Sequence, residues 1–252
     1  MSALASILQN AVADCKHVIG QTTPRPRFCF PIDQDTAAEL LAEAYRIEVE
    51  ARRMYYRPGQ YTLDEIQGVA KWLTNPALKS SLLLYGKPGT GKTTMARAIL
   101  RMSQTLKSSF GTAGIDRQQR ARGDFFDDET RRQYEQMEAR IIVPSYCTAL
   151  DLAYHAKEDR EKYTRTVGSG FLIIDDIGPE PKKVNCFGTE YLPIVEAIQA
   201  RYSAMKPTII TTNLGDQEII GTPQAPGYGL RIIDRLNEMC ERIAYCGQSY
   251  RI

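Results

Sequence analysis

Two rhythms of apolar residues run along the chain. From Ser81 onward short, nearly unbroken apolar runs recur, at Ser81–Tyr85, Ile141–Pro144, Phe171–Ile174, Thr208–Thr212 and Arg242–Cys246. Runs without polar alternation suit strands buried on both faces. Between them lie stretches with helical spacing. Met95, Ile99 and Met102 share one face; Thr148–Thr166 reads as one or two helices, Gly188–Ala204 as another, and Leu230–Glu241 as the last. Strands alternating with helices predict an α/β fold, a parallel five-stranded sheet flanked by helices.

Ahead of this alternation the pattern is purely helical. Helices are expected over Ser2–Val18, from Thr36 to about Tyr56 and from Thr62 to about Leu73. Thr36-x-x-Glu39 and Thr62-x-x-Glu65 have the form of capping boxes. Thr23-Pro24-Arg25-Pro26-Arg27 and Arg57-Pro58-Gly59 break the pattern. The chain therefore divides into an N-terminal helical extension, 1–58, and an α/β domain, 59–252. The extension serves either as a partner-binding arm or as a helical layer on the core. Between about 105 and 138 the sequence turns polar, with blocks of arginines and acids that nearly cancel. This reads as a flexible insertion, or as a loop whose arginines meet nucleic acid or a neighbouring subunit.

Composition narrows the classes. The 252 residues carry a formal charge of +2, so no strong basic footprint announces nucleic acid. Six cysteines form no C-x-x-C pair and the two histidines lie far from ligand spacing, so zinc is not expected. Residues 1–20 lack a basic leader and are too polar to span a bilayer, which points to a cytoplasmic protein without a membrane partner.

The strongest chemical signal is Gly86-Lys87-Pro88-Gly89-Thr90-Gly91-Lys92-Thr93, followed by Thr94. It matches G-x-x-x-x-G-K-[ST] between a strand and a helix, the context a phosphate-binding loop needs. Glycines let backbone N–H groups turn around a phosphate at a helix N-terminus. Lys92 can reach the β- and γ-phosphates of ATP, and the Thr93 hydroxyl can hold Mg2+. Asp175 and Asp176 end the apolar strand at 171–174. At the carboxyl end of such a strand, Asp175 would hold Mg2+ and Asp176 would polarise the attacking water. Asn213, after the strand 208–212, could orient that water or touch the γ-phosphate; an Asn ending a strand in a turn is the plain alternative.

These motifs, in order with Thr211-Thr212-Asn213, Gly229-Leu230-Arg231-Ile232-Ile233-Asp234-Arg235 and Ser249-Tyr250-Arg251, resemble the AAA+ ATPases of the DnaC/DnaI helicase-loader group. IstB-type transposition helpers share most of them. The resemblance spans roughly 60–252 and implies a P-loop AAA+ domain. It makes Asn213 similar to sensor 1, Arg235 with Arg231 to the arginine-finger region, and Arg251 to sensor 2. It also makes Lys157, Arg160, Lys162 and Arg165 candidate DNA phosphate contacts, with Tyr163 as a stacking residue; a solvated helix face is the alternative. The implied partners are further copies of the chain in a ring or spiral, a replicative helicase or a transposase, and DNA, single-stranded in the first case and duplex in the second. A nucleotide-gated binding module with little turnover is a third reading, because Asp176 stands where a Glu is common. With Arg251 followed only by Ile252, little or no lid domain is expected.

Overall fold

A computed structural model of the chain describes residues 11–16, 27–122, 125–186 and 188–247. Of the helix expected over Ser2–Val18, residues 11–16 are described and are helical; most of the Thr23–Arg27 connector lies outside the described residues. Two helices, α1 (Gln34–Glu50) and α2 (Gln60–Thr74), precede strand β1 (Ser81–Gly86). Helices α3 (Lys92–Phe110), α4 (Thr112–Arg122) and α5 (Asp128–Arg140) follow, then β2 (Ser145–Thr148), α6 (Ala149–Glu158), α7 (Arg160–Val167) and β3 (Leu172–Ile177). A short hairpin, β4 (Val184–Cys186) and β5 (Thr189–Tyr191), leads into α8 (Pro193–Ser203) and β6 (Thr208–Thr212). The last elements are α9 (Asp216–Ile220), α10 (Leu230–Met239) and β7 (Cys240–Tyr245).

The five long strands form one parallel sheet in the order β2-β3-β6-β1-β7, as the alternation predicts. The three central strands, β3, β6 and β1, are largely buried on both faces, while the edge strands β2 and β7 are partly exposed, and successive residues serve opposite layers. Leu82, Leu84, Ile173 and Ile209 face a cluster built with Leu41, Tyr45, Trp72 and Met95 from α1, α2 and α3. Leu83, Leu172, Ile174 and Ile210 face the other, with Leu152, Ile198, Ile232 and Leu236 from α6, α8 and α10. Helix α1 thus packs in the same core as the sheet: Ala37, Leu41 and Tyr45 are fully buried.

Several boundaries differ from the sequence pattern, each for a physical reason. Asp33, not Thr36, caps α1, accepting from the Thr36 amide at 2.8 Å, and the helix stops at Glu50 rather than near Tyr56. Arg53 beyond it has φ 59, a left-handed conformation that ends helical geometry. Thr62 and Glu65 do not cap α2 but lie buried inside it. The strand expected at Ile141–Pro144 begins at Ser145 instead. Pro144 has no N–H to give the ladder, whereas Ser145 donates to the Phe171 carbonyl at 2.9 Å. The helix expected from Gly188 starts at Pro193, a residue suited to a first helical turn. The insertion at 105–138, expected to be flexible, is largely helical. Asp127 caps α5 through the Thr130 amide, Ile115 is buried, and Tyr134 packs between Phe110 and Phe126 and donates to Gln118 at 2.5 Å.

Candidate functional site

The carboxyl ends of β1, β3 and β6 converge on one cavity of about 320 Å³. Its walls include Pro88, Gly89 and Gly91 of the glycine loop, Lys92, Thr93 and Thr94 of the first turn of α3, Asp176 of β3, Thr211 of β6 and Asn213 just beyond it. Gly86 and Gly91 have φ of 141° and 103°, which L side chains rarely adopt. A Cβ at Gly86 would lie 2.3 Å from the Tyr245 carbonyl, and one at Gly91 would lie 2.1 Å from the Tyr45 hydroxyl. The loop is thus clamped between β7 and α1. Lys92 is buried, and its ammonium donates to the Gly86 and Lys87 carbonyls at 2.8 and 2.7 Å.

Beneath the loop, Asp175 is 2% exposed and accepts three hydroxyl hydrogen bonds. Thr93 and Thr211 donate to Oδ1 at 3.1 and 2.6 Å, and Tyr146 of β2 donates to Oδ2 at 2.6 Å. Asp176 has φ 59, left-handed for a residue with a side chain. Its amide donates to Thr211 Oγ1 at 2.8 Å, and its Oδ1 accepts from Asn213 Nδ2 at 3.1 Å. The register of β3 against β6 shifts between Ile174 and Ile177, so this turn-like residue sits inside a strand.

Three features of the site have no counterpart in the motif reading. Arg97, one helical turn beyond Thr93, lines the cavity; its hydrogen bond with Tyr146 holds the guanidinium more firmly protonated. The i, i+4 spacing from Thr93 was a usable signal. Burial and the bond to Asp175 push the Tyr146 phenol up to about 12. Arg52, from the end of the helical extension, also lines the cavity with Val49 and Met54 and donates to Thr94 Oγ1 at 2.6 Å. No pattern in the sequence marks it.

Glu65 lies buried near Lys92, and burial pushes its carboxyl up to about 8, the ammonium pulling the other way. A carboxyl whose folded value is raised ionises in the unfolded chain first, so its stabilising effect is full below the unfolded value and fades as pH rises to 8. Thermal melts should show wild-type Tm falling between about pH 5 and 8, with Glu65→Gln flattening that slope. An unchanged slope would remove Glu65 as its source.

Arg231 and Arg235 are not among the residues lining this cavity. Arg231 is exposed, while Arg235 is half-buried against the Tyr202 ring with its guanidinium carbon 5.6 Å from the centroid. Its Nη1 is buried without a hydrogen-bond partner among the described residues. Arg251 lies outside the described residues. Of the basic residues on α6 and α7, Lys157 pairs with Glu158, Arg160 with Glu196 and Arg165 with Glu161. Tyr163 is corrected as a stacking residue: it is 4% exposed and its hydroxyl donates to the Pro193 carbonyl at 2.7 Å. Lys162 and Arg165 line a second pocket of about 390 Å³ with His155, Asp151 and Tyr146.

Among the described residues no group of three or more His, Cys, Asp or Glu side chains could hold a metal by itself, and no helix is long and apolar enough to cross a membrane.

A glycine loop between the first strand of a parallel sheet and a helix, with a buried lysine and two adjacent acids near the carboxyl end of β3, one buried and one lining the cavity, is the architecture of the P-loop class. A family model described as Nephrocystin 3, N-terminal, matches residues 61–166, a span that contains the loop. No curated protein matches the chain. Among solved structures it is similar to the DnaC helicase loader, at 20% identity over 76% of this chain and 93% of that one, with a TM-score of 0.46. It is also similar to DnaI, at 18% identity over 91% and 95%, TM-score 0.44. AMPPCP-bound DnaA from Aquifex aeolicus matches at 17% identity over 78% of this chain and 50% of that one, TM-score 0.45.

Proposed function

We propose that the chain is an AAA+ ATPase that assembles through ATP at subunit joints and loads or remodels a replicative helicase on single-stranded DNA. The observation that carries the ATPase part is the pairing of Thr93 with Asp175 at 3.1 Å beside the pairing of Asp176 with Asn213, both under one glycine loop. The order of the motifs along the chain carries the helicase-loader part.

The residues divide the work. Lys92 would turn from the loop carbonyls to the β- and γ-phosphates, while loop amides at the start of α3 cradle the chain of phosphates. Thr93 Oγ1 and Asp175 Oδ1 are adjacent oxygen donors of the kind Mg2+ prefers, and they would hold that ion. Bound there, Mg2+ neutralises charge on the phosphate oxygens. Asp176 accepts a proton from the attacking water, and Asn213 keeps its carboxylate aimed. Arg235, which does not line the cavity of its own subunit, would serve a neighbouring subunit. With three of the four basic helix residues already paired, DNA contact centres on Lys162 and on Arg165 after its release from Glu161.

The test is affinity capture with ATP present, using Asp176→Asn as bait, coupled to phosphate release with and without DNA. Recovery of a replicative helicase and stimulation by single strands are expected. Recovery of a transposase with a preference for duplex would replace the loader reading by a transposition helper. Turnover indifferent to DNA would reduce the chain to a nucleotide-gated module.

A further inference from the structure

Asp175 is held more tightly than cation binding alone requires, and one of its donors comes from outside every motif. Its Oδ1 faces Thr93 and Thr211, and among the described residues its Oδ2 accepts from the Tyr146 phenol alone, at 2.6 Å. Tyr146 stands on β2, where it pairs in register with Ile173, two residues before Asp175 on β3. Its ring packs against the core layer that includes Ile173. On its other side lies Arg97, whose guanidinium carbon sits 5.7 Å from the ring centroid. Arg97 in turn lines the cavity with Lys92 and Asp176.

We infer that Tyr146 is a positioning residue for Asp175, steadied by Arg97, and that this chain of contacts sets how tightly the site takes up a divalent cation together with nucleotide. The inference rests on the nucleotide reading above. A carboxylate with both oxygens engaged cannot rotate, so Oδ1 stays turned toward the Thr93 hydroxyl. Deleting the phenolic oxygen frees Oδ2 and lets the carboxylate swing, which loosens the oxygen pair without touching the glycine loop. Outer contacts of this kind, one bond removed from a metal ligand, typically change metal affinity by about 10- to 100-fold. A purely packing role for Tyr146 would reside in the ring, which Tyr146→Phe retains.

The measurement is binding of a fluorescent ATP analogue titrated with Mg2+, and separately in EDTA. Tyr146→Phe should raise the Mg2+ concentration at half-effect by about 10-fold and leave affinity in EDTA unchanged. Arg97→Leu, at an exposed position, should raise it in the same direction by a smaller factor, and it decides the question if Tyr146→Phe does not fold. A Mg2+ half-point equal to wild type in both variants, while Asp175→Asn shifts it, overturns this inference alone. Wild-type protein that takes up no ATP analogue overturns the nucleotide reading and this inference with it.

Discussion

Lys92→Ala is expected to weaken ATP binding by about 100- to 1000-fold, the scale for truncating a buried, hydrogen-bonded charge. Lys92 is 6% exposed and its ammonium lies against the Gly86 and Lys87 carbonyls, at the start of α3. Among the described residues the other cations lining the cavity, Arg52 and Arg97, are engaged with Thr94 and Tyr146. Calorimetric titration with ATP measures the effect, and a melt without nucleotide separates it from loss of fold. Affinity within about 3-fold of wild type would remove the glycine loop from the function.

Arg235→Ala should leave ATP affinity unchanged and lower turnover by about 1000-fold or more, the range for an arginine finger. The distinction comes from placement. Arg235 sits on α10 against Tyr202 and does not line the cavity of its own subunit, and one of its nitrogens is buried without a partner among the described residues. Mixing provides the sharper measurement. If Arg235 completes a neighbour's site, Arg235→Ala subunits keep the loop and Lys92→Ala subunits keep the arginine, so the mixture should regain phosphate release that neither has alone. Normal turnover by Arg235→Ala, or a mixture as inactive as its parts, would end the assignment of Arg235 to a neighbour's site.

Sheet, loop and strand-end acids were legible because each depends on local chemistry. Leu82–Leu84, Leu172–Ile174 and Ile209–Ile210 are apolar on every position because both faces of their strands are covered. The glycines of 86–91 and the acids of 175–176 mark themselves by spacing. What escaped depends on partners distant in sequence. The hydroxyl of Tyr146 matters only because β2 lies beside β3. Thr211 already stood in the Thr211-Thr212-Asn213 motif, but its bond to Asp175 appears only once β6 lies beside β3. Helix α5 escaped because it buries no residue of its own and so leaves no apolar stripe, and α4 buries little apolar surface beyond Ile115. Tyr163 looked available for stacking because a buried tyrosine and an exposed one read alike until a carbonyl such as that of Pro193 is found for the hydroxyl.

The order of strands also bears on how the chain comes to fold. Strand β1 is made early but pairs only with β6 and β7, whose residues lie more than 120 positions later. Pairings this distant cost loop-closure entropy before they return any stabilisation, and they slow folding. Gly86 packs against the carbonyl of Tyr245 itself, so the loop takes its final shape only when that residue arrives. During synthesis the phosphate cradle is therefore completed late, and acquisition of nucleotide affinity by a growing chain would time the closing of the whole sheet.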